Sequence, residues 1–169
     1  MTNALLECCS LGVQMDGKWL LQPLSLSLSS GDLLVLRGHN GAGKSTLLNA
    51  IVGLMKSTGK IYWDGEELSQ LPPWKRVKKG ILLLSQQSVG FNELTLRQNI
   101  RMSGIDNAVY EAVIARCALH TFEDRKWGEL SGGERKRAEI ARCLALKPRL
   151  WLLDEPFASL DAEQASWLH

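Results

Sequence analysis

Four cysteines in 169 residues form no CxxC pair and no metal-ligand spacing, and nothing suggests a zinc site. Cys8, Cys9, Cys117 and Cys143 read as reduced thiols rather than as a disulfide scaffold. Long apolar runs are also missing. The longest, such as residues 81–84, are strand-sized and far short of the roughly 20 residues a membrane helix needs. The start, MTNALLECCS, has no basic stretch followed by an apolar one, so neither a secreted nor a membrane-spanning chain is expected. No excess of one charge appears: 20 Lys and Arg face 18 Asp and Glu, a net +2, too mild for a nucleic-acid binder. The basic clusters at 74–79 and 135–137 read as solvated faces. There is no internal repeat and no low-complexity linker.

What is present is an apolar fraction of 45%, enough for the core of one domain. Residues 5–36 mix short apolar segments with turn signals, and PLSLSLSS alternates apolar with small polar side chains. That period of two predicts short antiparallel strands with one buried face. The run LLVL at 33–36 reads as a strand covered on both faces, followed by a glycine-rich loop and a helix over 45–54 stopped at Gly53. KIYWDGEEL predicts a strand and turn, GILLLSQQ and RLWLLDEP two further buried strands. Helices are expected over 95–104 and 106–119. Strands alternating with helices indicate an α/β fold with a parallel sheet, and the strandless interval 87–147 a helical subdomain.

GHNGAGKST, residues 38–46, fits G-x-x-x-x-G-K-[ST] and lies between an expected strand and an expected helix, the context that gives the pattern its meaning. Gly38, Gly41 and Gly43 let the backbone approach anionic oxygens, with His39, Asn40 and Ala42 completing the loop. Amide N–H groups at the helix start then meet phosphate with the helix dipole behind them. Lys44 can reach β and γ phosphates, the Ser45 hydroxyl can ligate Mg²⁺, and Thr46 continues the turn. The apolar run 150–153 delivers Asp154 and Glu155 to a strand's carboxyl end, where ligands of parallel sheets bind. Asp154 suits a magnesium water shell, and Glu155 the polarisation of an attacking water.

LSGGERKR at 130–137 has the S-x-x-E form of a capping box opening a helix toward residue 146, with glycines that expose amide donors. This segment resembles the signature of ABC-type ATPases, and with the phosphate loop the resemblance covers the whole chain. It implies a P-loop NTPase fold with a RecA-like parallel sheet core (37–86 and 148–169), an antiparallel β-subdomain (1–36) and a helical subdomain (87–147).

The resemblance also implies ATP and Mg²⁺ as cofactors and two ATPase subunits, as a homodimer, sandwiching two nucleotides. Leu130, Ser131, Gly132, Gly133 and Glu134 would meet the γ-phosphate held by the other subunit. Gln86 looks like the Q-loop glutamine that contacts Mg²⁺ and the membrane partner, with Gln87 competing for that register. ASLD resembles the D-loop, placing Ser159, Leu160 and Asp161 at the dimer contact. A transmembrane permease is the further partner implied, with Phe91 and Leu94 near the groove that meets it, and the cytoplasmic face of the inner membrane is the location.

Two departures stand out. Where the family carries an aromatic residue that stacks on adenine, this chain has Met15, which packs on a ring with less stacking; Trp19 reads as a core or hairpin residue. Family members also continue past the D-loop to another core strand and a switch histidine, and His169 comes too early to be that residue. The last core strands are therefore expected to be missing, and the 169-residue chain alone to be unstable or a poor ATPase.

Within the family, LHTFEDRKWGELSGGE and the lack of the aromatic look most like the ATP-binding subunit of the heme exporter of cytochrome c maturation. KKGILLLSQQ and FNELTLRQNI are similar to branched-chain amino acid importers. A soluble non-transport ABC ATPase and a catalytically impaired fragment are the remaining readings.

Overall fold

A computed structural model describes residues 4–86 and 89–155. The chain divides into two compact units, Met1–Leu83 and Leu84–His169.

The first unit opens with a long hairpin, β1 (Ala4–Met15) and β2 (Lys18–Ser29), turned at Asp16-Gly17. With β3 (Thr58–Trp63) and β4 (Glu66–Glu67) it forms an antiparallel sheet in the order β2-β1-β3-β4. The expected short strands are thus two of 12 residues, because β1 pairs along both of its edges and so holds a longer ladder. The period-two reading of PLSLSLSS holds: Leu24, Leu26 and Leu28 are half-buried, Ser25, Ser27 and Ser29 exposed. Helix α1 (Lys44–Val52) packs on this hairpin with Leu47, Leu48 and Ile51 buried, and Gly53, in left-handed conformation, ends it as expected.

Two expectations fail in this unit. Residues 33–36 form no strand, and Leu33, Leu34 and Val35 are 88%, 47% and 61% exposed. An apolar run becomes a strand only when its backbone groups enter a ladder, and among the described residues nothing pairs with this one. The basic cluster 74–79 is also more than a solvated face. It folds as α2 (Pro73–Lys78), with Trp74, Lys75 and Lys78 outward and Arg76 only 3% exposed. The Arg76 guanidinium donates to the carbonyls of Ala50 and Ile51 at the end of α1 and to those of Leu71 and Ser69, at 2.8–3.1 Å. Four acceptors for one fork of donors explain why this cation is buried. The first unit ends within strand β5 (Ile81–Leu84), whose Ile81 and Leu82 are buried and whose Leu84 begins the second unit.

The second unit is helical. α3 (Leu96–Arg101) is capped by Thr95 and Gln98 in a reciprocal capping box, and α4 (Asn107–Arg116) by Asp106 accepting from the Val109 amide. α5 (Gly132–Ala145) packs against both. Ile100, Tyr110, Ile114, Leu119, Trp127 and Ala138 fill the core. Tyr110 donates its hydroxyl to Glu123, which Arg97 also holds at 3.1 Å, and Arg101 lies 4.4 Å over the Tyr110 ring. β6 (Leu150–Leu153) follows, and the Asp154 amide donates to the Leu84 carbonyl at 3.0 Å. Only Leu152 of β6 is buried, so it is less covered than a core strand should be. All four cysteines are free, as expected. Among the described residues no helix is long and apolar enough to cross a membrane.

Candidate nucleotide-binding and hydrolytic residues

The loop before α1 takes its shape from two glycines. Gly41 and Gly43 have φ of +84° and +87°, a region that costs other residues about 1–2 kcal/mol. At Gly43 space is closed as well, since a Cβ would lie 2.9 Å from the Leu20 carbonyl of β2. Gly38 acts differently: its φ is not positive, and a Cβ there would crowd that of Ala42 at 3.0 Å. The Ala42 amide closes a turn on the His39 carbonyl at 3.1 Å, and His39 Nδ1 lies 2.8 Å from the Asn40 carbonyl. Lys44 Nζ folds over the loop and donates to the carbonyls of Gly38 and His39 at 2.9 and 3.1 Å.

Helix α1 has no side-chain cap and no acidic residue in its first turn. Its leading amides and dipole therefore point into the loop uncompensated, beside an ammonium group, which makes the loop a concentrated site of positive potential. Ser45 is exposed and Thr46 half-buried at its edge. Met15 ends β1 opposite Lys18 and is 53% exposed. Trp19 lies across β1, where a Cβ on Gly12 would come within 2.8 Å of its ring, which agrees with its reading as a hairpin residue.

In the second unit the chain gathers Gln86, Asp154 and Glu155. The amide of Asp154 is tied to Leu84, and Glu155 sits at φ +47°, a left-handed conformation that is strained for a side-chain-bearing residue. Gln86 Nε2 donates to Glu155 Oε2 at 3.0 Å. A carboxylate at a forced backbone angle with one oxygen held by a carboxamide is an oriented acceptor.

The signature residues begin α5. Ser131 Oγ accepts from the Glu134 amide at 3.3 Å, and Glu134 Oε2 accepts from the Ser131 amide at 2.6 Å, the expected capping box. Burial alone would raise the Glu134 carboxyl, but the bonds from Ser131 and the charges of Arg125 and Arg137 outweigh it and hold the group below its ordinary value. The carboxylate is thus turned back into its own helix cap. Leu130 is buried, Ser131 and Gly132 are exposed, and nothing lies within 4 Å of a Cβ on Gly132. The helix N-terminus stays open beside that cap.

The basic cluster 135–137 departs from its reading as a solvated face. Lys136 is 6% exposed, donating to the Ser85 carbonyl at 3.1 Å, while Arg135 holds the carbonyls of Trp127 and Gly128. Sequence reasoning also missed Glu139, buried at 6% exposure, and Asn99, whose side chain bonds the backbone of Phe91, Leu94 and Thr95. The only signal was their position on the apolar faces of α5 and α3. Phe91 itself is 56% exposed and Leu94 half-buried. Gln87, Ser159, Leu160, Asp161 and His169 lie outside the described residues.

Among known proteins, residues 21–158 match the family model described as ABC transporter. The chain is 37% identical over 166 residues to the putrescine transport ATP-binding protein PotG of Escherichia coli (strain K12), covering 93% of this chain and 43% of PotG. It is 34% identical over 168 residues to the lipopolysaccharide export system ATP-binding protein LptB of Acidithiobacillus ferridurans, covering 94% of this chain and 70% of LptB. A nucleotide-free ATP-binding cassette from an ABC transporter superposes with a TM-score of 0.85 at 26% identity, over 98% of this chain and 74% of that one. The ADP conformation of MJ1267, an ATP-binding cassette of an ABC transporter, gives 0.83 at 26%, over 99% and 74%. The chain belongs to the ABC transporter family and has the P-loop fold of its ATP-binding cassettes, with an antiparallel N-terminal sheet and a parallel one.

Proposed function

We propose that the chain binds and hydrolyses ATP as the ATPase subunit of an ABC transporter whose membrane path lies on a separate permease. The observation that carries this reading is the loop before α1, where two left-handed glycines, a helix N-terminus without a side-chain cap and the Lys44 ammonium occur together. Gly38, His39, Asn40, Gly41, Ala42, Gly43, Ser45 and Thr46 wrap the phosphates, and Met15 packs on the base. Glu155 orients and polarises water, Gln86 holds that carboxylate, and Lys44 offsets phosphate charge. The oxygen donors Ser45, Gln86 and Asp154 are the hard kind that Mg²⁺ takes, and the ion, when bound, neutralises charge on the β and γ phosphates. Leu130 to Glu134 present the open start of α5 to nucleotide on a second subunit, with Ser159, Leu160 and Asp161 at that contact. No nucleic acid is involved, and the permease keeps the subunit at the cytoplasmic face of the inner membrane.

The transported compound belongs to the permease. LptB is named for lipopolysaccharide export and another relative, PotA of Mesoplasma florum, for spermidine/putrescine import, so the relatives' names span both directions of transport. Heme export for cytochrome c biogenesis rests on the segment 119–134 and on Met15 alone, and the branched-chain amino acid reading on 78–87 and 91–100. The test is ATP binding and turnover by the full-length protein, alone and with its permease. Binding abolished by Lys44→Ala and turnover abolished by Glu155→Gln are expected; turnover that survives both substitutions would exclude the proposal.

A further inference from the structure

Gln86 is staked on both sides by one helix. Before it, the Ser85 carbonyl accepts from Lys136 Nζ at 3.1 Å; after it, the Val89 amide donates to Glu139 Oε1 at 2.6 Å. Lys136 and Glu139 are one turn apart on α5, their side chains about equally buried at 7% exposure, with Lys136 Nζ 3.7 Å from Glu139 Oε2. Arg142, one turn further along the same helix, donates to the Val89 carbonyl. Glu139 Oε2 has no hydrogen-bond donor among the described residues, so the Lys136 ammonium is its ionic partner.

Burying such a pair is costly, and apolar residues of similar volume do as well or better for stability alone. Its distinctive product is the position of two backbone groups flanking Gln86, whose carboxamide reaches Glu155 at 3.0 Å. Packing residues in their place could supply neither the donor to Ser85 nor the acceptor for Val89.

We propose that Lys136 and Glu139 are positioning residues: by fixing Ser85 and Val89 they hold Gln86 on Glu155, so that the helix headed by the signature sets the hydrolytic carboxylate of its own chain. This rests on the ATPase reading of Gln86 and Glu155. It makes α5 a two-ended element, offering its N-terminus to a nucleotide on another subunit while its buried face orients the base of its own.

The test replaces the pair by apolar residues, K136M with E139M, in the full-length protein assembled with its permease. The melting temperature should stay near that of the unsubstituted protein. KM for ATP should stay within about twofold while kcat falls at least about tenfold, because orientation of the base is lost and phosphate binding is not. Glu139→Gln, whose carboxamide oxygen still accepts from Val89, should keep kcat within about threefold. An apolar double variant with unchanged kcat would overturn the proposal. If that variant does not fold, amide exchange of the unsubstituted protein decides: Val89 should be protected like the amides within α5, and exchange at exposed-loop rates would overturn the inference. The ATPase reading fails separately, by turnover that is absent or insensitive to Glu155→Gln, whatever the exchange of Val89.

Discussion

Gly90 and Trp127 meet with no room to spare: a Cβ on Gly90 would fall 2.0 Å from Cε2 of the indole and 2.4 Å from Nε1. The indole is 1% exposed, and its backbone is bonded to Leu94 and Arg135, so the ring cannot step aside. Gly90→Ala should therefore destabilise the second unit by about 3 kcal/mol or force the loop off the ring. Urea unfolding followed by tryptophan fluorescence measures this, and a change under about 0.5 kcal/mol would mean the contact is looser than the geometry states.

Arg76 ends α1 from outside. Arg76→Ala leaves the carbonyls of Ala50, Ile51, Leu71 and Ser69 without that donor and should cost about 2–4 kcal/mol. Arg76→Lys should recover little, because a single ammonium cannot span four carbonyls arranged for a planar fork. The two unfolding midpoints, compared, check the claim.

Two glycines of the phosphate loop separate backbone strain from steric closure. Gly41→Ala meets only the strain of its φ of +84°, with nothing within 4 Å, and should weaken nucleotide binding by about tenfold. Gly43→Ala adds the Leu20 carbonyl at 2.9 Å and should abolish binding. Equal effects in a titration with fluorescent ATP would refute the distinction.

Glu134 gives the acid limb a sign. Its folded carboxyl is held below the ordinary value, so its stabilisation is full above the unfolded value and is lost as pH falls through the folded one. Glu134→Gln, which can still cap the helix, should lose the ionised carboxylate's contribution at pH 7, differ least from the unsubstituted protein at low pH, and so flatten the stability–pH curve below about pH 4.5. An unaltered acid limb would show that the capping bonds do not discriminate between the charged and neutral forms.

Thiol chemistry should sort by burial. Burial pushes Cys8 and Cys143 up to about 12 and Cys117 to about 11, whereas Cys9 is half-buried. Alkylation of the native protein at pH 8 should label Cys9 first, and the other three only on unfolding; peptide mass mapping reads this directly.

What the sequence made legible is what three or four residues decide among themselves. The cap at Ser131, the helix starts near Thr95 and Asp106, the stop at Gly53 and the turn of the glycine loop are decided largely among near neighbours in the chain, and each stands where its pattern pointed. The failures are non-local. LLVL has the composition of a core strand but no ladder among the described residues, and composition cannot supply one. Arg76, Lys136 and Glu139 look like surface charges because their partners lie about 25, 51 and 50 positions away. Helix α2 was hidden by its brevity, a proline start followed by a basic run.

The exposed run 33–35 also bears on the life of the polypeptide before it works. It is a short, exposed, apolar stretch two residues before Arg37, the kind of peptide that holdase chaperones grip and that seeds intermolecular β-pairing at high concentration. Because it leads straight into the glycine loop, any companion that covers it would tether the segment proposed to bind nucleotide. Yield of soluble chain and competence to bind nucleotide are then two readings of one surface, and conditions that improve the first should improve the second.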